Sequence, residues 1–162
     1  MSASLSVKTA QDLVSEKLRE ARAVWNEAKG SRIAPKRDEI TPAALVKVLP
    51  WIWFVDVIDG GTDFRFRLAG DRVIQFMGRR YAGEKLSQHL EVPFFQGMRQ
   101  LYAACTEQKA PVAAGPMRTN LKDRDYLELE VIALPLSEDA ATITGIFGAI
   151  DLRQIAARTP TR

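Results

Sequence analysis

One histidine, His89, and one cysteine, Cys105, are present, so the chain can form no intrachain disulfide and shows no paired-cysteine zinc pattern. Any chemistry must therefore come from isolated groups. His89 stands a few residues before the longest helical pattern and reads as an exposed or capping residue there. Cys105, within Ala-Ala-Cys-Thr, falls on the apolar face of that helix, where a thiol behaves as a small hydrophobe. Glu128 and Glu130 lie two residues apart on one predicted strand. Paired carboxylates do general acid–base work only when they face a cleft that splits their pKa values. With Arg118, Arg65 or Arg67 on neighbouring strands, cross-strand ion pairing on a solvated face is expected instead. The Arg79-Arg80 pair reads as a solvated loop. No Gly-x-Gly-x-x-Gly, phosphate-binding loop, Gly-x-Ser-x-Gly elbow or internal repeat occurs.

The elements that must position these groups follow from periodicity. Val14, Leu18, Ala21, Trp25 and Ala28 form one apolar stripe, which predicts an amphipathic helix over residues 10–29, capped by Thr9 with Asp12 and ended by Gly30. Thr41-Pro42 predicts one or two helical turns closing near Leu49-Pro50. Residues 51–58 are a near-continuous apolar run. After the turn Asp59-Gly60-Gly61, residues 62–69 alternate, so the pair reads as a β-hairpin. Residues 70–108 are helical in short pieces, punctuated by Gly78, Gly83 and Pro93, and the longest piece spans residues 93–108. Strands are predicted over 111–120, 124–136 and 142–151. The last is apolar on both faces and so central. Gly145 and Gly148 flank Phe147 there, a pattern that marks close approach of a ligand or of backbone. The sum is an α+β domain with a five-stranded, mostly antiparallel sheet and short helices between strands two and three.

The 162 residues, 46% hydrophobic and 27% charged, suit one globular domain. The net charge of +3 is unevenly placed: residues 1–40 and 151–162 each carry +2, whereas 41–150 carry −1. A near-neutral middle excludes a basic nucleic-acid groove, and no segment is apolar enough for a membrane span. With no apolar leader segment at the N-terminus, a cytoplasmic location is expected.

The hairpin ending FRFRLAGDRVIQFMG, followed by YAGEKLSQHL, resembles the PAS sensory domain, with Gly78 and Gly83 at the two family glycines and Leu86 and Leu90 after them. PKRDEITPAALVKVLPWIWFVDV before DFRFRLAG is similar to the standalone single-domain PAS proteins of proteobacteria. The expected organisation is a flanking helix and connector over 1–33, the PAS-like domain over 34–152 and a polar tail over 153–162.

The resemblance implies a cavity between sheet and helices, bounded by Phe66, Phe76, Tyr81, Met98 and Phe147, that takes a small organic ligand. It also implies a homodimer through the flanking helix, by way of Val14, Leu18, Ala21 and Trp25, and a non-enzymatic sensory or interaction module that signals through another protein. Haem and flavin are not expected as cofactors. His89 precedes the helix on which some PAS domains place a haem ligand, and Cys105 lacks the Asn-Cys-Arg-Phe setting of flavin-binding relatives. Two alternatives stand beside this reading: a small pocket enzyme of the ketosteroid-isomerase kind with a carboxylate base, and a ligand-free interaction domain with a filled core. The first and last strands of the domain should be adjacent and central if the PAS reading holds.

Overall fold

The computed structural model describes residues 5–124 and 126–155. Six strands, β1 (Val7–Thr9), β2 (Ile52–Ile58), β3 (Asp63–Ala69), β4 (Val112–Arg118), β5 (Leu127–Leu136) and β6 (Gly145–Gln154), form one antiparallel sheet in the order β1-β4-β5-β6-β2-β3. The two strands that are apolar on both faces, β2 and β6, are paired in its interior. That is the adjacency the PAS reading requires, and it gives both faces of each strand apolar cover. The sheet has one strand more than expected because Val7–Thr9 pairs with Val112–Ala114 at the edge.

Three helices cover this sheet: α1 (Glu16–Lys29), α2 (Asp71–Met77) and α3 (Pro93–Gln108). The first begins later than its stripe predicts. Thr9 closes β1, and Ser15 is the N-cap, its hydroxyl accepting from the Leu18 N–H at 3.2 Å. Val14 therefore precedes the helix and is half exposed. The turns expected after Thr41 form as Leu45 N–H bonds the Thr41 carbonyl, followed by a 3₁₀ turn at Leu49–Trp51 rather than a continuous helix. Gly78 ends α2 at φ 87°, a left-handed conformation that glycine adopts without Cβ strain. The tail expected from Arg153 starts later, since β6 continues to Gln154; residues 156–162 lie outside the described part.

The sheet has two dissimilar faces. On one, Leu18, Ala21 and Trp25 of α1 are buried against a cluster that includes Phe54, Ile132, Leu134 and Phe147. The Trp25 indole N–H also donates to the Pro135 carbonyl at 2.7 Å. Burying Leu18 and Trp25 contributes on the order of 5 kcal/mol. On the other face, Phe95, Met98, Leu101 and Cys105 of α3 meet Val131, Ala133 and Ile146. Of the residues expected to form a dimer stripe, Leu18, Ala21 and Trp25 are buried against the chain's own sheet, and Val14 stands apart from them.

Candidate ligand cavity

A cavity of about 120 Å³ opens on the α3 side of the sheet. Its floor comes from Trp53 on β2, Leu129 and Val131 on β5 and Ile150 on β6; α2 supplies Val73 and Phe76, α3 supplies Phe94, Phe95, Met98 and Tyr102, and Phe66 and Tyr81 close the side. Phe66, Phe76, Tyr81 and Met98 thus share one wall system. Phe147 does not. It lies on the opposite face, fully buried and stacked on Phe54 with ring centroids 5.2 Å apart. Strand alternation explains the correction: Ile146 and Ile150 face α3, so Phe147 and Ala149 face α1.

One polar pair interrupts the apolar wall. The Trp53 indole N–H donates to the Tyr102 hydroxyl oxygen at 2.6 Å, and both residues are buried. Trp53 can lie flat across the sheet because its register partner is Gly148; a Cβ there would collide with indole atoms of Trp53. The glycine beside Phe147 therefore accommodates a side chain of this chain. Burial pushes the Tyr102 phenol up, so it stays protonated and retains a proton to donate. Behind Phe94 and Met98 lies a second hollow of about 220 Å³, reaching to Leu5, Met117 and Thr119 and sharing Leu129 and Val131 as wall.

The mouth is charged. Arg79 grips Glu84 with two bonds, at 2.6 and 3.0 Å, and its guanidinium lies 3.9 Å from the Tyr81 ring centroid. Those bonds from Arg79, with a further one from His89, outweigh partial desolvation and hold the Glu84 carboxyl down at about 2. His89 is less exposed than its sequence position suggests. Its Nε2 lies 2.9 Å from Glu84, and its ring packs against Tyr81 and Phe95 at 5.0 and 5.3 Å. Arg80 also lines the opening, and Arg67 lines the cavity while its guanidinium pairs with Asp56 at 3.2 Å. Arg79-Arg80 is thus a cavity rim rather than a free loop.

The remaining candidates lie elsewhere. Cys105 is wholly buried under α3 with its thiol 3.7 Å from the Ala133 carbonyl, and burial pushes the thiol up, away from the reactive thiolate. Glu130 is also buried, which corrects the expected solvated pairing. Its carboxylate accepts from Lys8 Nζ at 2.7 Å and from the backbone N–H groups of Val14 and Ser15 at 2.9 and 2.7 Å. Burial raises its pKa, but these three donors together outweigh it and hold the carboxyl below its ordinary value. Glu130 is a latch for the segment leading into α1. Glu128 lies opposite Arg118 and Arg153 in the register. Among the described residues no Asp or Glu lines the cavity. Among the described residues no group of His, Cys, Asp and Glu is placed to hold a metal ion, and no helix is long and apolar enough to cross a membrane.

Trp53, Phe95 and Tyr102 also wall the cavity, and the sequence did not single them out for it. The available signal was the shared α3 face of Phe95, Met98 and Tyr102.

A PAS domain family model matches residues 13–151. Among solved structures, the chain is similar to the PAS domain of Bordetella pertussis BvgS, at 17% identity and TM-score 0.50, covering 70% of this chain and 84% of that one. It is also similar to the PAS domain of the histidine kinase ThkA, at 17% identity and TM-score 0.46, covering 62% of this chain and 95% of that one. No curated protein matches the chain. The family model spans most of the sequence, with the strand order expected of the fold, and the chain belongs to the PAS domain family.

Proposed function

We propose that this chain is a non-enzymatic, cytoplasmic sensory module in which a small organic molecule occupies the α3-side cavity and its presence alters a contact with a signalling partner. The observation that carries the reading is the cavity itself: apolar and aromatic walls, one buried polar pair and a charged rim. Its volume of about 120 Å³ compares with the roughly 150 Å³ that admits a benzene-sized guest, which limits an occupant to about one ring. A haem or flavin ring system exceeds that space.

The route outward runs through elements that bridge cavity and surface. Val73 and Phe76 of α2 line the cavity, while Arg72 of the same helix lies 5.6 Å from the Trp51 ring centroid. Lys17 of α1 lies over the same Trp51 ring at 3.4 Å. A ligand that favours one position of α2 shifts α1 only to the extent of its differential affinity for the two states. The homodimer belongs to the same reading on surface outside the buried stripe, where Val14 and Val46 are exposed.

Native mass spectrometry of freshly purified protein tests both parts. A bound small molecule of about one ring, released on denaturation, is the expected result. A clean apo mass, with no one-ring compound perturbing the cavity resonances by NMR, would return the chain to a ligand-free interaction domain. A solely monomeric mass removes the dimer.

A further inference from the structure

We propose that the ligand is a compact carboxylic acid, its apolar body inside the cavity and its carboxylate at the rim beside Arg80. This rests on the cavity reading above and adds the chemical class.

Charge at the opening supplies the argument. Three arginines line it, Arg67, Arg79 and Arg80. Two have carboxylates already: Arg67 with Asp56, and Arg79 with Glu84 in a two-bond grip. Arg80 is exposed, and among the described residues its side chain has neither ion pair nor hydrogen bond; only its backbone carbonyl is engaged, by Arg79 at 3.0 Å. Glu84 stays ionised through the working pH range, so it keeps Arg79 engaged and leaves Arg80 as the uncompensated cation. Among the described residues no Asp or Glu lines the interior to repel an anion.

Desolvation decides which way such a molecule enters. Among the described residues, the side-chain hydrogen-bonding groups within the buried wall are the Trp53 indole, already donated, and the Tyr102 hydroxyl. An anion placed there would lose its water without gaining a cation, a heavy cost. At the rim the same carboxylate keeps part of its hydration and gains the rigid fork of Arg80. The body then meets Phe76, Phe94, Phe95 and Met98. The cavity volume of about 120 Å³ fits a single ring or a short branched chain.

Isothermal titration of the full chain with benzoate, benzamide and acetate at low salt tests this. Benzoate should bind, benzamide about tenfold more weakly, and acetate, which has the head without the body, not measurably. Arg80→Gln should bring benzoate down to the benzamide level and leave benzamide unchanged, while Arg80→Lys keeps part of the difference. If benzoate and benzamide bind alike, or Arg80→Gln leaves their ratio intact, the acid proposal fails. In that case loss of both on Val73→Phe, in protein of unchanged circular dichroism, shows that the cavity reading survives. If neither ring compound binds, both proposals fall.

Discussion

The two faces of the sheet are built from similar residues and end differently. On the α1 face, Ala21, Ala113 and Ala149 let the helix settle close to the strands, and Phe54 and Phe147 stack nearly parallel at an interplanar angle of 20°. On the α3 face the rings meet edge-on: Phe76 with Phe94 at 68°, Phe94 with Phe95 at 81°, Phe95 with Tyr81 at 61°. Tilted rings carried by a seven-residue helix, a glycine-punctuated loop and the start of α3 enclose the cavity between them. A solid face and a hollow one on a single sheet separate holding the fold from receiving a ligand.

Truncating the solid face should have the largest effect. Trp25→Ala removes a side chain that is 2% exposed and leaves the Pro135 carbonyl without its donor, so a loss of about 4 kcal/mol is expected in urea denaturation. A loss below about 1 kcal/mol would mean that α1 is not docked on its own sheet, and the expected dimer stripe would regain its place.

Glu130→Ala should rank next, at about 3 kcal/mol, since Lys8 and two backbone N–H groups lose a buried acceptor. Its signature is a pH dependence. The folded carboxyl titrates below its unfolded value, so its contribution is complete above about pH 4.5 and is lost as pH falls through the folded value. The gap between wild type and variant should therefore narrow on acidification below pH 4.5. A gap independent of pH would assign the cost to packing alone.

These two residues also mark how far the sequence was legible. Helical periodicity placed Leu18, Ala21 and Trp25 on one face, yet the same stripe would bury equally well against a second chain, and only the docked structure distinguishes the two. Strand alternation put Glu130 with Glu128 on the polar side of β5, but it cannot reveal that a segment more than a hundred residues away folds over that side. The same limit acts at Phe147. With β6 apolar on both faces, no polar residue signals which parity faces the cavity, and the register with Trp53 settles it. The hairpin and α3 were readable because alternation, turn residues and Pro93 are local signals, whereas the strand order came with the PAS resemblance. The true cap Ser15 was readable too, being followed by the acidic Glu16, but a competing Thr9–Asp12 spacing masked it.

Enlarging a side chain reverses the sense of the test. Ala149→Val adds volume at a fully buried position of the α1 face and should cost about 2 kcal/mol through overpacking. Val131→Ile adds one carbon to the cavity wall and should be neutral or stabilise by up to about 0.8 kcal/mol, while weakening any one-ring ligand. If both substitutions destabilise equally by thermal melting, the α3 face is as full as the α1 face and the distinction between them disappears.

A small loss is also expected inside the hollow face. Tyr102→Phe removes the acceptor of the Trp53 indole N–H and leaves a buried donor unpaired, at about 1 kcal/mol. The cost stays low because the ring, its packing against Phe64 at 5.2 Å and the fit of Trp53 over Gly148 are all retained. Indole fluorescence supplies the sharper readout, since an N–H freed from its hydrogen bond into an apolar cavity emits to the blue. Gly148→Ala should shift the same emission by moving the indole itself, at greater cost, because a Cβ there meets ring atoms that cannot yield without leaving the sheet. An emission change shared by both variants ties the Trp53–Tyr102 pair to the cavity wall. An unchanged spectrum in Tyr102→Phe would mean that the indole does not depend on that hydroxyl, and the polar pair would cease to be a feature of the site.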